Sequence, residues 1–409
     1  MPPSHRCKPL TPIEAAIPPL LQSLPQILEI EAVPLEQALG RIIGSDVAAK
    51  INVPPHANSA MDGYALRAAD SQPRGLVQVS QRIAAGQVGE PLQAGTAARI
   101  FTGAPLPPGA DAVVMQENIR AEDEAISILQ AVVPGENVRA AGEDIVAGAK
   151  LFGEGRRLRP QDIGVLASVG LTQVTVRRAL RVALLITGDE LVPPGTQLKP
   201  GQIYSSNNYT IAALLRNLGA EVIEMGVVGD KFNTTRSVLK TAAKQVDVII
   251  STGGVSVGEE DHIKPAVESL GGLDMWRLAI KPGKPFASGK VCGKQFFGLP
   301  GNPVSAFVTF VLLVRPALLS MQACDRPFSD WIDVPAGFDR AKSGERQEYI
   351  RVTLSRDTEE GLSLQPIDNQ SSGVGASLSI SDGLAIIPPH TAVAEGDKLR
   401  YLFFAELTN

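Results

Sequence analysis

The chain has 409 residues, 44% of them hydrophobic and 20% charged, with a formal net charge of −5. That length exceeds one ordinary core and predicts two to four domains in a soluble globular protein. The mildly acidic balance, with no basic run interleaved with aromatics, excludes a general nucleic-acid binder, so any anionic ligand must be held by a local group of charges. Three cysteines (Cys7, Cys292, Cys324) lack metal-ligand spacing, and four histidines (His5, His56, His262, His390) form no H-x-x-x-H pattern. These features argue against structural zinc and for a reducing, cytoplasmic setting. No basic segment followed by an apolar stretch opens the chain, and the longest apolar run, 304–314, is too short to cross a bilayer. The expectation is a protein neither exported nor membrane-spanning.

Residues 1–50 have helical tendency but are broken by Pro18, Pro19, Pro25 and Pro34. Thr11 and Glu14 have capping-box spacing with Pro12 at the first helical position, which predicts a helix start. A second short helix is expected over 35–40, with Gly40 as its stop. The segment is too poor in apolar residues to fold alone and is expected to pack on another part of the chain or on a second copy. Residues 51–147 change to glycines, prolines and short alternating runs, the pattern of a small β-domain. Its loops N-S-A-M-D-G-Y-A (58–65), F-T-G-A-P (101–105) and G-E-D (142–144) each read, taken singly, more readily as turns than as sites. Residues 148–178 form a connector with a helix over 161–168 ended by Gly170 and a strand at 174–176. Packing of this connector on the N-terminal helices would make the β-domain an insertion.

From Arg181 the pattern becomes strand, loop, helix repeatedly, which predicts an α/β domain with a parallel sheet. A strand over 182–186 meets Thr187-Gly188-Asp189-Glu190-Leu191. Ile211, Leu214, Leu215 and Leu218 make a helical stripe ended by Gly219, and a strand over 221–228 delivers Asp230 before a helix over 234–245. Then, between 246 and 305, three apolar runs each end in glycines and polar residues, as parallel strands do where they meet functional loops. Gly253-Gly254 suits a turn with φ > 0 whose N–H groups form an anion-binding concavity. Gly301-Asn302-Pro303 opens a long apolar helix with Asn302 as N-cap and Pro303 at its first position, and the helix's free N–H groups predict a second anion site. Between the two loops lie Glu259, Glu260, Asp261, Lys281 and Lys284. Carboxylates suit a hard divalent cation, while lysines and amide nests suit an oxyanion, so the common reading is a metal-assisted site for a phosphorylated ligand. Ligands of open α/β sheets bind beyond the carboxyl ends of strands, where Glu190, Asp230, Gly253, Gly254 and Asp261 all fall. No G-x-x-x-x-G-K-[ST] loop is present, which excludes a P-loop enzyme. Short alternating segments at 348–354 and 399–404 predict a C-terminal β-domain.

Seven motifs in one order carry a resemblance: S-A-M-D-G-Y-A (59–65), F-T-G-A (101–104), G-E-D (142–144), T-G-D-E-L (187–191), G-G-V-S-V-G (253–258), K-P-G-K-P (281–285) and L-P-G-N-P-V-S (299–305). Together they resemble the molybdopterin molybdenumtransferase family, which includes the C-terminal part of gephyrin. The resemblance runs from about residue 34 to the C-terminal domain. It implies a multidomain α/β plus β fold: an extended N-terminal dimerisation domain (1–50 with 148–178), an inserted β-domain (51–147), an α/β domain of the molybdopterin-binding type (179–327) and a C-terminal β-domain (328–409).

The implied reaction joins adenylylated molybdopterin and molybdate, with Mg²⁺ present, to give molybdenum cofactor and AMP. The implied partners are a second copy in an elongated homodimer, the molybdopterin adenylyltransferase and acceptor molybdoenzymes. Each cleft would be shared, with Asp62, Thr102 and Asp144 from one subunit facing Glu190, Asp230, Asp261, Lys281, Lys284, Pro300 and Pro303 of the other. Catalytic roles would fall to Asp62, Asp144, Glu190, Asp230, Asp261 and Lys281, and the metal to Glu190, Asp230 and Asp261. Substrate would be held by Thr102, Gly253, Gly254, Ser256, Lys284, Pro300, Gly301, Asn302, Pro303 and Ser305, with Arg351 contributing from the C-terminal domain. The chain departs from the family where aspartates are usual, at Ala57 and Ser205, and where a lysine is usual, at Arg277. The alternatives are a molybdopterin adenylyltransferase, which the α/β domain alone resembles, and a non-catalytic scaffold.

Overall fold

The apolar runs beyond Arg181 build one six-stranded sheet in the order Glu221–Val228, Arg181–Thr187, Val248–Thr252, Lys294–Leu299, Pro285–Val291, Gly271–Arg277. The structure, a computed structural model, describes residues 9–229, 231–254, 262–357 and 361–408. The first four strands are mutually parallel. Val248–Thr252 is buried at every position, so its uninterrupted apolar sequence serves two covered faces. Alternate residues divide between two cores: Val182, Leu184, Val248 and Ile250 on one face, and Ala183, Leu185 and Ile249 on the other. Helices Ser206–Asn217 and Pro303–Thr309 supply the first core, and helices Phe232–Ala242 and Ile263–Glu268 the second.

The middle of the three glycine-ended runs departs from the expected parallel pattern. Gly271–Arg277 is an edge strand that pairs antiparallel with Pro285–Val291 and so runs in the direction of the first four. Its neighbour Pro285–Val291 runs antiparallel to Lys294–Leu299 because the two-residue turn Cys292-Gly293, with φ of 50° and 83°, folds them into a hairpin. Beyond Arg277 the chain leaves this sheet, and Ile280–Lys281 pairs in parallel with Gln347–Glu348. The K-P-G-K segment is thereby built against the C-terminal sheet.

The N-terminal segment is less helical than expected. A helix spans Ile13–Gln22, but its N-cap position is Pro12, and no side chain caps it. The expected Thr11–Glu14 capping box does not form, because the Thr11 backbone is engaged elsewhere. Its N–H donates to Arg277 O at 2.7 Å, and its carbonyl accepts from Ala279 N at 2.7 Å. Ile13, Ala16 and Leu20 join the α/β core. The 35–40 segment contributes only a 3₁₀ turn at Leu35–Gln37. Ile30–Pro34 is extended and pairs antiparallel with Gln173–Arg177, and Val47–Ala48 pairs with Lys150–Phe152. With helix Pro160–Ser168 these pieces enclose a separate core around Ile43, Leu166 and Val176.

Two further sheets of six strands complete the chain. One, within residues 63–128, encloses two small cores. The other combines Ile280–Lys281 with strands from 332–403. The helical run 303–321 contains a π turn at Phe310–Val314 just ahead of Pro316, whose missing N–H and bulky ring disfavour a continuous α ladder. At 19 residues and a mean hydropathy of 1.9 it is long and apolar enough to cross a bilayer, yet it is 89% buried within the protein, as befits a core helix.

Arg178 joins three of these parts. Its fork donates to Glu29 Oε2 at 2.8 and 3.0 Å and to Asp247 Oδ2 and Oδ1 at 3.0 and 3.2 Å. Burial alone would raise the Asp247 carboxyl, but the bonds from Arg178 and from the Arg181 N–H outweigh it and hold the group below the usual aspartate range. Asp247→Ala should therefore cost about 2–3 kcal/mol at neutral pH. Because the folded value is depressed, this contribution is fully present above the ordinary aspartate pKa and is lost as pH falls through the folded one. Denaturant unfolding of both proteins should show a constant gap from pH 7 to about 5 that closes below about 4.

Candidate active site

Four strands of the α/β sheet end at one level. Their register sets Thr187 beside Val228, Ile186 beside Thr252, and Thr252 beside Leu299, so the loops that follow share one edge. Gly253 has a φ of 86°, its N–H donates to Leu299 O at 3.0 Å, and a Cβ there would stand 2.9 Å from the Thr187 carbonyl. A side chain at 253 would thus clash with the neighbouring strand end as well as strain the backbone. Gly301 lies against it, with its Cβ position 3.8 Å from Gly253 Cα. The two glycine loops therefore meet, and Pro300 is buried behind them. Around this edge the hydroxyls of Thr187, Ser205, Ser251 and Thr252 are buried without a hydrogen-bond partner. Buried polar groups of this kind are normally satisfied, so four on one edge mark a place where a ligand or water completes the set. Glu190 is exposed beside them, its carboxylate folded back over Gly188. Asp230, Ser256, Glu259, Glu260 and Asp261 lie outside the described residues, and among the described residues no three acids, histidines or cysteines cluster as a metal site would.

Lys281 and Lys284 line a cleft of 580 Å³ together with Arg277 and Arg346. Four cations face two carboxylates there, Glu345 and Glu348. Lys281 Nζ donates to Glu348 Oε1 at 3.0 Å, and Arg340 pairs with the other oxygen of the same buried carboxylate. A second hollow of 290 Å³ shares Lys281 and Glu348 and adds Arg340, Gln370 and Ser371. Glu348 carried no signal in the sequence, because its pairing with Lys281 joins residues 67 positions apart, and Arg340 gains its place only through that carboxylate.

The helix start at Asn302 is organised differently from the free anion site expected. Pro303 does occupy the first helical position. Val304 N–H, however, donates to Ser372 O at 3.1 Å, and Asn302 Nδ2 donates to Ser372 Oγ at 3.1 Å, so the C-terminal domain already covers this end. Ser305 is buried. Arg351, expected at the ligand, is fully buried and committed to structure. Its fork donates to the carbonyls of Asn369 (2.9 Å), Gln370 (3.2 Å) and Ser371 (3.1 Å), and its Nε donates to Ser377 Oγ (3.0 Å). It fixes the loop that carries Ser372, and burial lowers its pKa.

The first two N-terminal motifs meet at the short strand Asn58–Ser59, while the 142–144 motif packs on Val53 and Pro54. Ser59 pairs with Val138 on one side, and on the other it exchanges hydrogen bonds with Gly103 N and Ala104 O at 2.8 and 3.0 Å. Asp62 Oδ1 accepts from both the N–H and the hydroxyl of Thr102, each at 2.8 Å, and these bonds, aided by nearby Arg99, hold its carboxyl below the usual range. Asp144, exposed, follows the Gly142 turn, and its N–H donates to Val53 O at 2.9 Å. The Asp62–Thr102 pair borders the sheet of residues 63–128, whose cores share no residue with the α/β cores.

Family profiles match the chain almost end to end: the MoeA N-terminal region (domain I and II) over residues 11–170, the "Probable molybdopterin binding domain" over 183–320, and the MoeA C-terminal region (domain IV) over 333–404. A molybdopterin molybdenumtransferase of Haemophilus influenzae is 43% identical over 305 residues, covering 74% of this chain and 76% of that one. The chain belongs to the molybdopterin molybdenumtransferase family. A second relative of that name, from Nostoc, is 36% identical over 382 residues and covers 90% of this chain and 87% of its own. Among solved structures, the molybdopterin biosynthesis MoeA protein of Pyrococcus horikoshii superposes with a TM-score of 0.82 at 30% identity, covering 97% of this chain and all of that one. The seven-motif resemblance therefore holds for the family and its multidomain fold.

Within that family fold, Arg351 supports the site from behind. Arg351→Ala should lower unfolding stability by about 3 kcal/mol or more, since it strands several buried carbonyls and leaves a large void. Thermal unfolding is the measurement, and an unchanged midpoint would mean that the side chain is free to serve a ligand.

Proposed function

We propose that the chain is a cytoplasmic molybdopterin molybdenumtransferase, taking adenylylated molybdopterin and molybdate to molybdenum cofactor and AMP in a cleft assembled from two copies. The observation that carries this reading is the meeting of Gly253 and Gly301 at a sheet edge ringed by unpartnered hydroxyls, in the domain that also holds the cationic Lys281 loop. Motif and domain boundaries support the four-part division given by the sequence, with residues 51–147 as an insertion and the N-terminal segment and connector at the dimer contact.

Molybdate is a dianion, and the Lys281–Lys284 cleft, with Arg277 and Arg346, offers the positive excess and volume to gather it. Glu348 pairs with Lys281 and offsets its charge, so an arriving oxyanion shares the lysine rather than meeting a bare cation. With the Gly253 N–H committed to Leu299 O, the Gly254 N–H and the hydroxyls of Thr187, Ser251 and Thr252 suit the phosphorylated pterin end. The described hydroxyls and the Glu190 carboxylate at this edge are oxygen donors that fit Mg²⁺, which Glu190 would hold with Asp230 and Asp261. When bound, that ion supplies charge neutralisation at the phosphoanhydride. Asp62, ionised by its Thr102 bonds, would act from the second copy, as would Asp144 on the turn against Val53. The acceptor molybdoenzymes and the adenylyltransferase that supplies the substrate are the expected partners.

The direct test is AMP release from adenylylated molybdopterin on addition of molybdate and Mg²⁺. ATP consumption with free molybdopterin would indicate the adenylyltransferase instead. Lys281→Ala and Lys284→Ala should each raise the molybdate requirement about tenfold or more, as loss of a charge-assisted contact does, and an unchanged molybdate dependence in both would remove them from the cradle. Thr102→Val should fold normally and move the acid limb of the AMP-release profile to higher pH, because removing the hydroxyl's bond raises the Asp62 pKa. An unmoved limb would show that Asp62 does not set it.

A further inference from the structure

On the inserted sheet two arginines stand side by side. Arg82 and Arg99 are register partners on the neighbouring parallel strands Leu76–Ile83 and Thr96–Ile100, so both side chains leave the same face, with backbones roughly 5 Å apart. Their guanidinium carbons lie 4.6 and 4.8 Å from the centre of one ring, that of Phe101, and Arg99 also covers the Tyr64 ring at 5.0 Å. Arg99 has a structural task. It donates to Gly63 O at 3.1 Å and to Gln116 Oε1 at 2.7 Å, and Gln116 N–H donates to Asp62 O at 3.1 Å, so Arg99 braces the turn that presents Asp62. Arg82 has none. It is exposed, and apart from the ring contact it makes no hydrogen bond or ion pair with a described residue.

A solvated arginine whose stem lies on an aromatic ring is common and would explain the stacking alone. It leaves unexplained why two like charges share one ring beside a functional turn whose acid, Asp62, is already taken by Thr102, while Glu117 accepts from Gln116 rather than from either arginine. An anion seated against both cations removes that repulsion. The arginine fork matches phosphate geometry, and stacking on Phe101 pre-orders it for capture. The Lys281 cleft on the other sheet already provides for the molybdate, whereas the second half of the substrate is a nucleotide whose phosphate needs a partner.

We propose that Arg82, set on Phe101 beside Arg99, is a specificity-determining residue that binds the phosphate of the adenylyl half of the substrate at the rim of the Asp62–Thr102 turn. The proposal rests on the reading of the chain as a transferase acting on an adenylylated pterin. The nucleotide, rather than the oxyanion metal source, is its ligand.

Calorimetric titration of the full-length protein with AMP is the test. Arg82→Ala should weaken AMP binding about tenfold or more, and Arg82→Lys, which keeps the charge without the fork, should weaken it less. Arg120→Ala, an exposed arginine on the same sheet, should match the wild type. Molybdate titration should be the same in wild type and Arg82→Ala. Equal AMP affinity in wild type and Arg82→Ala would overturn the proposal, as would a wild type that binds no AMP or a loss confined to molybdate. Failure of the functional reading has a different signature: a wild type that binds AMP in an Arg82-dependent way yet releases none from adenylylated molybdopterin.

Discussion

Four parallel strands in one register are the constraint on which the α/β half of the site depends. Because Thr187, Thr252 and Leu299 end at adjacent positions, the polypeptide must turn away three times within a few ångströms, and at Gly253, where two of those turns touch, a side chain would meet the Thr187 carbonyl. The same closeness buries the hydroxyls of Thr187, Ser251 and Thr252 with nothing to bond. Each such group carries a desolvation cost of about 1–3 kcal/mol when left unmet, so the edge is held ready by the burial of the cores beneath it. Stability supplied by Val182, Ile249 and Phe297 is what keeps polar groups poised for a ligand.

The second organising feature is charge shared between domains. Ile280–Lys281 leaves its own sheet to become an edge strand of the C-terminal one, which sets Lys281 beside Glu348. Two unit charges of like sign 4 Å apart repel by about 4 kcal/mol at an effective dielectric near 20, and Glu348 offsets that repulsion for Lys281 and Arg340 at once. Arg351 plays the matching part for neutral dipoles, gathering three carbonyls so that Ser372 can reach the helix start at Asn302. The C-terminal domain therefore shapes the cationic cleft from behind and from one side, although its sequence offered only short alternating strands.

What the sequence made legible was local. Continuous β-branched runs marked the strands at Arg181–Thr187 and Val248–Thr252, the Ile211–Leu218 stripe marked its helix, and Asn302-Pro303 marked the start of the core helix, because each signal is written within a few residues. Where the reading failed, distant partners decided. Thr11 gave up its capping role to pair with the backbone near Leu278, residues 30–34 became a strand paired with the expected strand at 173–177 rather than part of a helical segment, and Arg351 was drawn inward by carbonyls of a loop some 20 residues away. Glu348, Arg340, Ser372 and Arg82 have no spacing that announces them. Their meaning comes from register and from pairing across sheets.

The central claim is that the Asp62–Thr102 cluster and the Gly253–Gly301 edge, which stand on separate sheets with separate cores, form one cleft only when two copies meet. Mixed-subunit complementation addresses it most directly. Asp62→Asn and Glu190→Gln, each inactive alone, would be unfolded together, refolded as a mixture and assayed for AMP release. A shared cleft gives each heterodimer one cleft with both native acids, so the mixture should recover about a quarter of wild-type activity by random pairing of a two-fold dimer. A mixture as inactive as its components, although heterodimers are present, would contradict the account.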